Sequence, residues 1–173
     1  NVITYVGVNN PGKAVIGAPW YAVGTGAYPR TYVVQVDPTT ASPVGLEFQG
    51  QMSSLSYEGK LATIQKTGEG VMEISAANYY PIMQVTAGKL LVNHQYALGA
   101  DRSPNYPNPY VPATSVGAGS PHQLIVDGGT VDLNGYSPAI GALNDSGGIT
   151  TGVISNGGAM ASVLTLGYSV SNI

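Results

Sequence analysis

The side chains able to carry acid–base or metal chemistry are few: two histidines, His94 and His122, nine carboxylates, and no cysteine. The carboxylates are Asp37, Glu47, Glu58, Glu69, Glu73, Asp101, Asp127, Asp132 and Asp145. Glycoside hydrolysis needs two of them facing each other across a cleft. Most lie beside Gly, Pro or a turn, where hydration accounts for them. Glu47 and Glu73 fall inside strand-like runs and fit the solvent-facing half of an alternating pattern. His94 follows Leu90, Leu91 and Val92 and is expected on a sheet face; His122 follows Pro121 at the start of another run. A Ser–His–Asp triad leaves no mark in spacing, but the sequence has no Gly-x-Ser-x-Gly elbow to hold a nucleophile.

Metal and cofactor chemistry fares no better. The lack of cysteine removes thiolate ligands, thiol catalysis and disulfides together, and no HExxH or closely spaced histidine pair is present. Asp127, Asp132 and Asn134 bunch their oxygens, yet three side chains fall short of the six to eight oxygens that Ca²⁺ takes. They read as turn residues bonding their own backbone. Gly24-Thr25-Gly26 opens like a dinucleotide loop, but Pro29 follows and no helix comes after. The expectation is therefore no catalytic residue, no cofactor and no metal.

Contact chemistry is better represented. Twelve tyrosines stand against one Phe and one Trp. Each buried hydroxyl needs a partner, so this bias favours half-wet surfaces over a core. Tyr106 and Tyr110 lie in Ala97–Pro121, a segment also holding Pro104, Pro107, Pro109, Pro112 and Pro121, and read as a stiffened surface arm for contact, with a glycan or another surface as its partner. Asn144-Asp145-Ser146 is a glycosylation sequon at Asn144.

The surrounding surface is unusual in its charge. Asp, Glu, Lys and Arg make up only 9% of the 173 residues, against about 25% in ordinary soluble domains. Monomers use charge to stay apart, so a surface this neutral is expected to be covered, and copies of the same chain are the simplest cover. A net charge of −3 and six scattered cations exclude a basic stripe for nucleic acid. No apolar run reaches the ~18 residues of a membrane span. Asn1 is not what trimming of an initiator methionine leaves; taken as the mature start, it implies a removed leader and an extracellular or cell-surface location, with a virion as the alternative.

The elements that must position these residues read as strands. With 24 Gly and 12 Pro spread through the chain, short runs rich in Val, Ile, Thr and Tyr alternate with turn residues. They fall at Val2–Val8, Lys13–Ala18, Thr31–Val36, Val44–Gln49, Lys60–Lys66, Val71–Ser75, Pro81–Thr86, Lys89–Tyr96, His122–Val126, Thr130–Leu133, Ile149–Ile154 and Ala159–Val170. Met72–Tyr80 has room for one helical turn, and Ala159–Val170 reads as a long central strand. Gly68-Glu69-Gly70, Ala87-Gly88 and above all Asp127-Gly128-Gly129 separate neighbouring runs by hairpin distances. No repeat of 20 to 50 residues is evident. The expected fold is all-β, a single antiparallel β-sandwich or jelly-roll domain over 1–173.

The N-terminal run carries Val2, Ile3, Tyr5, Val6 and Val8 and is free at one end. It suits a strand donated to a neighbour's open edge. These features point to a secreted subunit of an extracellular filament or pilus, joined to copies of itself by strand donation. A jelly-roll capsid or decoration protein and a carbohydrate-binding module are the alternatives.

Overall fold

A computed structural model describes residues 2–7, 12–23, 30–55, 62–78, 82–98, 123–145, 147 and 151–166. Among them the secondary structure is all strand, with no helix. The strands are β1 (Val2–Tyr5), β2 (Ala14–Ile16), β3 (Trp20–Val23), β4 (Arg30–Val36), β5 (Leu46–Phe48), β6 (Met52–Leu55), β7 (Ala62–Thr67), β8 (Val71–Ile74), β9 (Ile82–Val85), β10 (Lys89–Val92), β11 (Gln123–Val126), β12 (Thr130–Asp132), β13 (Ala142–Asn144) and β14 (Val153–Ser155). The first sheet runs β1-β4-β7-β9-β11-β13, the second β14-β12-β10-β8-β5-β2, and β3 pairs with β6 in a small third sheet.

Every one of these pairings is parallel. The chain lays down a strand in the first sheet, turns a corner into the second, and returns one step further along. Such a path is a coil of stacked rungs, a parallel β-solenoid.

The expected antiparallel sandwich is thus overturned. Its error lies at the corners. Gly68-Glu69-Gly70, Thr86-Ala87-Gly88 and Asp127-Gly128-Gly129 each join consecutive strands by three residues, as a hairpin would. Yet β7, β9 and β11 pair with one another, and β8, β10 and β12 do likewise. Chain spacing is the same for a hairpin and for a corner between sheets; only the partner differs. Stacking explains the glycines at these corners. Gly68 and Gly88 have φ of 73° and 63°, values open to Gly at no steric cost. A Cβ on Gly88 would also lie 2.4 Å from the Gly68 carbonyl oxygen one rung away.

The same stacking hides the repeat. Ala14, Leu46, Met72, Leu90, Val131 and Ile154 occupy one column of the second sheet, but the chain between them varies from 18 to 41 residues. Rungs of such unequal length leave no period to detect.

Alternation within the strands builds the core. In β4, Tyr32, Val34 and Val36 are buried while Val33 and Gln35 are only half-buried. Tyr32, Ile64, Met83 and Leu124 stack in one interior column of the first sheet. Phe48, Ile74 and Val92 stack in the second. Trp20 closes the side of this core, edge-on to Tyr32 at 5.8 Å and tilted against Phe48 at 5.9 Å. Tyr5 and Tyr32 therefore belong to the interior, against the expectation that tyrosine marks wet surfaces. The Tyr5 hydroxyl finds its partner in the Gly12 carbonyl at 2.8 Å.

Several local expectations also change. Met72 and its neighbours form β8 and not a helical turn. Strands β3, β6 and β13 fall where none was expected. Of Ala159–Val170, the described part up to residue 166 holds a single bridge, Thr165 to Ala139, and no long strand.

Candidate functional site: a polar ladder and two open ends

Parallel register places equivalent residues of successive rungs side by side. On the outer face of the second sheet one column runs Val15, Glu47, Glu73, Leu91, Asp132 and Ser155. Glu47 and Glu73 are thus adjacent carboxylates, separated by one strand spacing, and both are buried, at 4% and 7% exposure. Sequence alternation assigned them to solvent; their neighbours cover them instead.

Two such carboxylates need compensation, and the first rungs supply it. The Lys13 ammonium pairs with Glu47 and lies 3.6 Å from Glu73. Ser75 donates its hydroxyl to Glu47 at 2.8 Å and sits 3.2 Å from Glu73. Asn93 Nδ2 reaches Glu73 at 2.6 Å, and Gln49 Nε2 reaches Glu47 at 3.1 Å. Burial alone would raise the Glu47 carboxyl, but hydrogen bonds from Lys13, Ser75 and Gln49 outweigh it and hold the group below the ordinary range. The bond to Glu47 in turn raises Lys13.

Two rungs further on, Lys89 pairs with Asp132 at 3.2 Å. Asp132 Oδ1 also accepts from the backbone N–H groups of Asn134 at 3.0 Å and Gly157 at 2.7 Å. Burial pushes its carboxyl up, and the two backbone donors with Lys89 bring it below its usual value. The oxygen-rich stretch Asp127–Asn134 therefore does turn chemistry at Asp132, although Asp127-Gly128-Gly129 is a corner and not a hairpin.

Two buried polar groups tie rungs from inside. Lys66 stands between Val34 and Val85 in an interior column and is fully buried. Its ammonium donates to the carbonyls of Thr67, Gly68 and Ala87 at 2.9, 2.6 and 2.9 Å, so it clasps two successive corners. Burial pushes its pKa down to about 8. Asn78 accepts from Met52 N at 2.7 Å and donates to Ala76 and Ala97 carbonyls at 3.1 and 3.0 Å, joining three rungs through one amide. A lone lysine before a glycine turn and a lone asparagine before Tyr79-Tyr80-Pro81 gave no signal of this in the sequence.

These groups answer one another. Glu47 and Glu73 are packed into a network of ion pairs and hydrogen bonds, and among the described residues no three His, Cys, Asp or Glu side chains gather as a metal cluster. His94 lies beyond the end of β10, in a turn where its Nδ1 accepts the Tyr96 N–H at 3.0 Å, and not on a sheet face. His122 falls outside the described residues.

The ends of the coil contrast with this. At the first rung, β1 pairs only with β4 and β2 only with β5 among the described strands. Val2, Val6 and Val15 are exposed there, at 63%, 52% and 49%. At the last rung, β13 pairs only with β11 and β14 only with β12. Leu143, Val153, Ile154, Met160, Val163 and Leu166 are exposed, Met160 to 70%. A recess lined by Val126, Leu143, Asn144, Asp145, Gly152 and Ile154 opens between the two sheets at this end.

Of the residues singled out from sequence, Val2, Ile3 and Tyr5 lie in β1, paired in register with Val33, Val34 and Val36 of the same chain. Tyr5 is core, Ile3 is half-buried and Val6 is exposed. Asn144 is exposed in β13, at the opposite end. Val8, Tyr106 and Tyr110, and with them most of Ala97–Pro121, lie outside the described residues. The exposed apolar set of the last rung went unnoticed because, in sequence, Leu143 and Ile154 look like any core residue of a strand.

Fold and ends together define a class, the parallel β-solenoids, whose rungs each contact only their neighbours. Comparison with known protein families, with curated proteins and with solved structures finds no match. No helix among the described residues is long and apolar enough to cross a membrane.

Proposed function

We propose that the protein is a non-catalytic structural subunit that works by associating with copies of itself in an assembly outside the cell. The observation that carries this reading is the pair of end rungs, each combining strand edges that pair with no further described strand with exposed apolar side chains. Unpaired parallel edges are templates for further strands, and apolar area left in water favours whatever covers it. The scarcity of charge, 9% of residues, removes the repulsion that would keep copies apart.

The pairing of Glu47 and Glu73 with Lys13, Ser75 and Asn93 supports a structural use of those carboxylates. A capsid reading rested on a jelly roll and loses that footing with the fold. A glycan-binding reading rests on Tyr106 and Tyr110.

Sedimentation velocity over a hundredfold concentration range tests the proposal. The expected result is a weight-average sedimentation coefficient that climbs with concentration, with elongated particles in negative stain. A single concentration-independent monomer peak in near-physiological buffer would reject it.

A further inference from the structure

We infer that copies join head to tail, the last rung of one stacking on the first rung of the next in continuous register, so that the coil runs on through the junction. This deepens the self-assembly reading and rests on it; what it adds is which surfaces meet and which residues face each other.

Three features select this geometry. First, one interior column of the second sheet arrives at both ends with apolar residues. The second-sheet column ends in Ile154 at one end and Ala14 at the other, so stacking sets Ile154 over Ala14 as Leu46 already sits over Met72. Ile154 is exposed and Ala14 half-buried in the single chain, and the junction would cover both.

Second, a parallel edge presents N–H and C=O groups in the same chain direction at either end. The first-rung edge of one copy and the last-rung edge of another therefore complement each other, whereas two first-rung edges set face to face would have to pair antiparallel. Third, exposed apolar side chains are found at both ends, Val2, Val6 and Val15 at one and Leu143, Val153 and Ile154 at the other. A face-to-face dimer would cover one set and leave the other in water. Head-to-tail contacts are heterologous and do not close on themselves in a straight coil, so they yield a filament.

The register is specific. Carrying the pairing one rung beyond Thr130–Val153, Val131–Ile154 and Asp132–Ser155 places Ser155 of one copy opposite Val15 of the next, on the outer face. Within a chain these two residues are separated by five strand spacings, roughly 24 Å, far beyond the ~4.4–6.8 Å that a disulfide bridges between Cα atoms. The chain has no cysteine of its own, so any disulfide formed is an engineered one.

The test uses the full chain with Val15→Cys, with Ser155→Cys, and with both. Mixed in equal amounts and oxidised, the two single variants should lose about half or more of their monomer band to one covalent dimer containing one of each. The double variant should give a ladder of covalent multimers. Ser155→Cys paired with Gln49→Cys, which the proposed register places two rungs from Ser155 of the adjoining copy, should remain uncross-linked. Circular dichroism and melting of each reduced variant confirm that it folds as wild type does. An independent readout needs no variant: six rungs at ~4.8 Å predict an axial repeat near 29 Å in filament images.

Self-association with no Val15–Ser155 cross-link, or with a repeat unrelated to 29 Å, overturns the head-to-tail register and leaves the self-assembly reading standing. A chain that stays monomeric overturns both.

Discussion

The middle of the coil and its ends are built from the same kind of strand, yet they stand in opposite situations. In the middle, Phe48 has Ile16 on one side and Ile74 on the other, Lys66 holds two corners, and Asn78 holds three rungs. At the ends, Ile154 has Val131 on one side and no described strand on the other. The difference teaches where stability resides in such a fold. A rung on its own cannot bury its apolar row, and two neighbours are needed to complete what one leaves open. Interior rungs are stable because of sequence that lies elsewhere in the chain. Among the described strands, the end rungs carry the same apolar rows with one side left without a partner.

The largest contrast is expected from matched truncations. Phe48→Ala removes a fully buried ring from a column filled on both sides and should destabilise by about 3–5 kcal/mol. Ile154→Ala, at 36% exposure in the last rung, should change stability of the isolated chain by less than about 1 kcal/mol. Urea denaturation at low protein concentration reads both, and equal effects would erase the distinction between middle and ends.

Lys66 sharpens the comparison through pH. Lys66→Met leaves three carbonyls without their donor and should cost about 2 kcal/mol near neutral pH. In the folded chain burial lowers Lys66 to about 8, while in the unfolded chain it keeps its proton to about 10.5. Between those values the unfolded state holds more protons, so folding stability of the wild type rises with pH. The gap between wild type and Lys66→Met should therefore widen from pH 8 to 10.5, by of order 3 kcal/mol in all, and stay flat below pH 7. A gap that narrows on raising the pH would show that the clasp needs the charged form throughout.

The smallest effect is expected at the rim. Lys13 is partly exposed, and Lys13→Ala should cost about 1 kcal/mol at neutral pH. Because Glu47 is held below its ordinary value, its contribution is present at neutral pH and is lost as the pH falls through the lowered folded value. The variant should accordingly converge on wild type in acid, as followed by thermal melting from pH 6 to 3.

These contrasts also explain how much could be read in advance. Many of the strands were legible: Thr31–Val36 and Val71–Ser75 hold β4 and β8, and the first half of Lys89–Tyr96 is β10, whereas β3, β6 and β13 were not. Nor were the partners. A three-residue link holding Gly at a positive φ serves a hairpin and a stacked corner alike, and unequal links conceal the column from Ala14 to Ile154. Burial of Glu47 and Glu73 was equally hidden, because it depends on Lys13, Ser75 and Asn93 arriving from three different rungs. Val2–Val8 was expected as a strand, and Val2–Tyr5 forms one, paired with β4 of the same chain, whereas the exposed Leu143 and Ile154 became visible only once their strands were placed in the stack.

Concentration-dependent amide hydrogen exchange on the unmodified chain puts the whole account to trial at once. In dilute solution the amides of β7 to β10 should be the most protected and those of β1, β2, β13 and β14 the least. Raising the concentration should slow exchange in the four end strands and leave the middle unchanged. Protection that is uniform along the chain, or that gains nothing at the ends as copies are crowded together, would contradict a coil that completes itself on its neighbours.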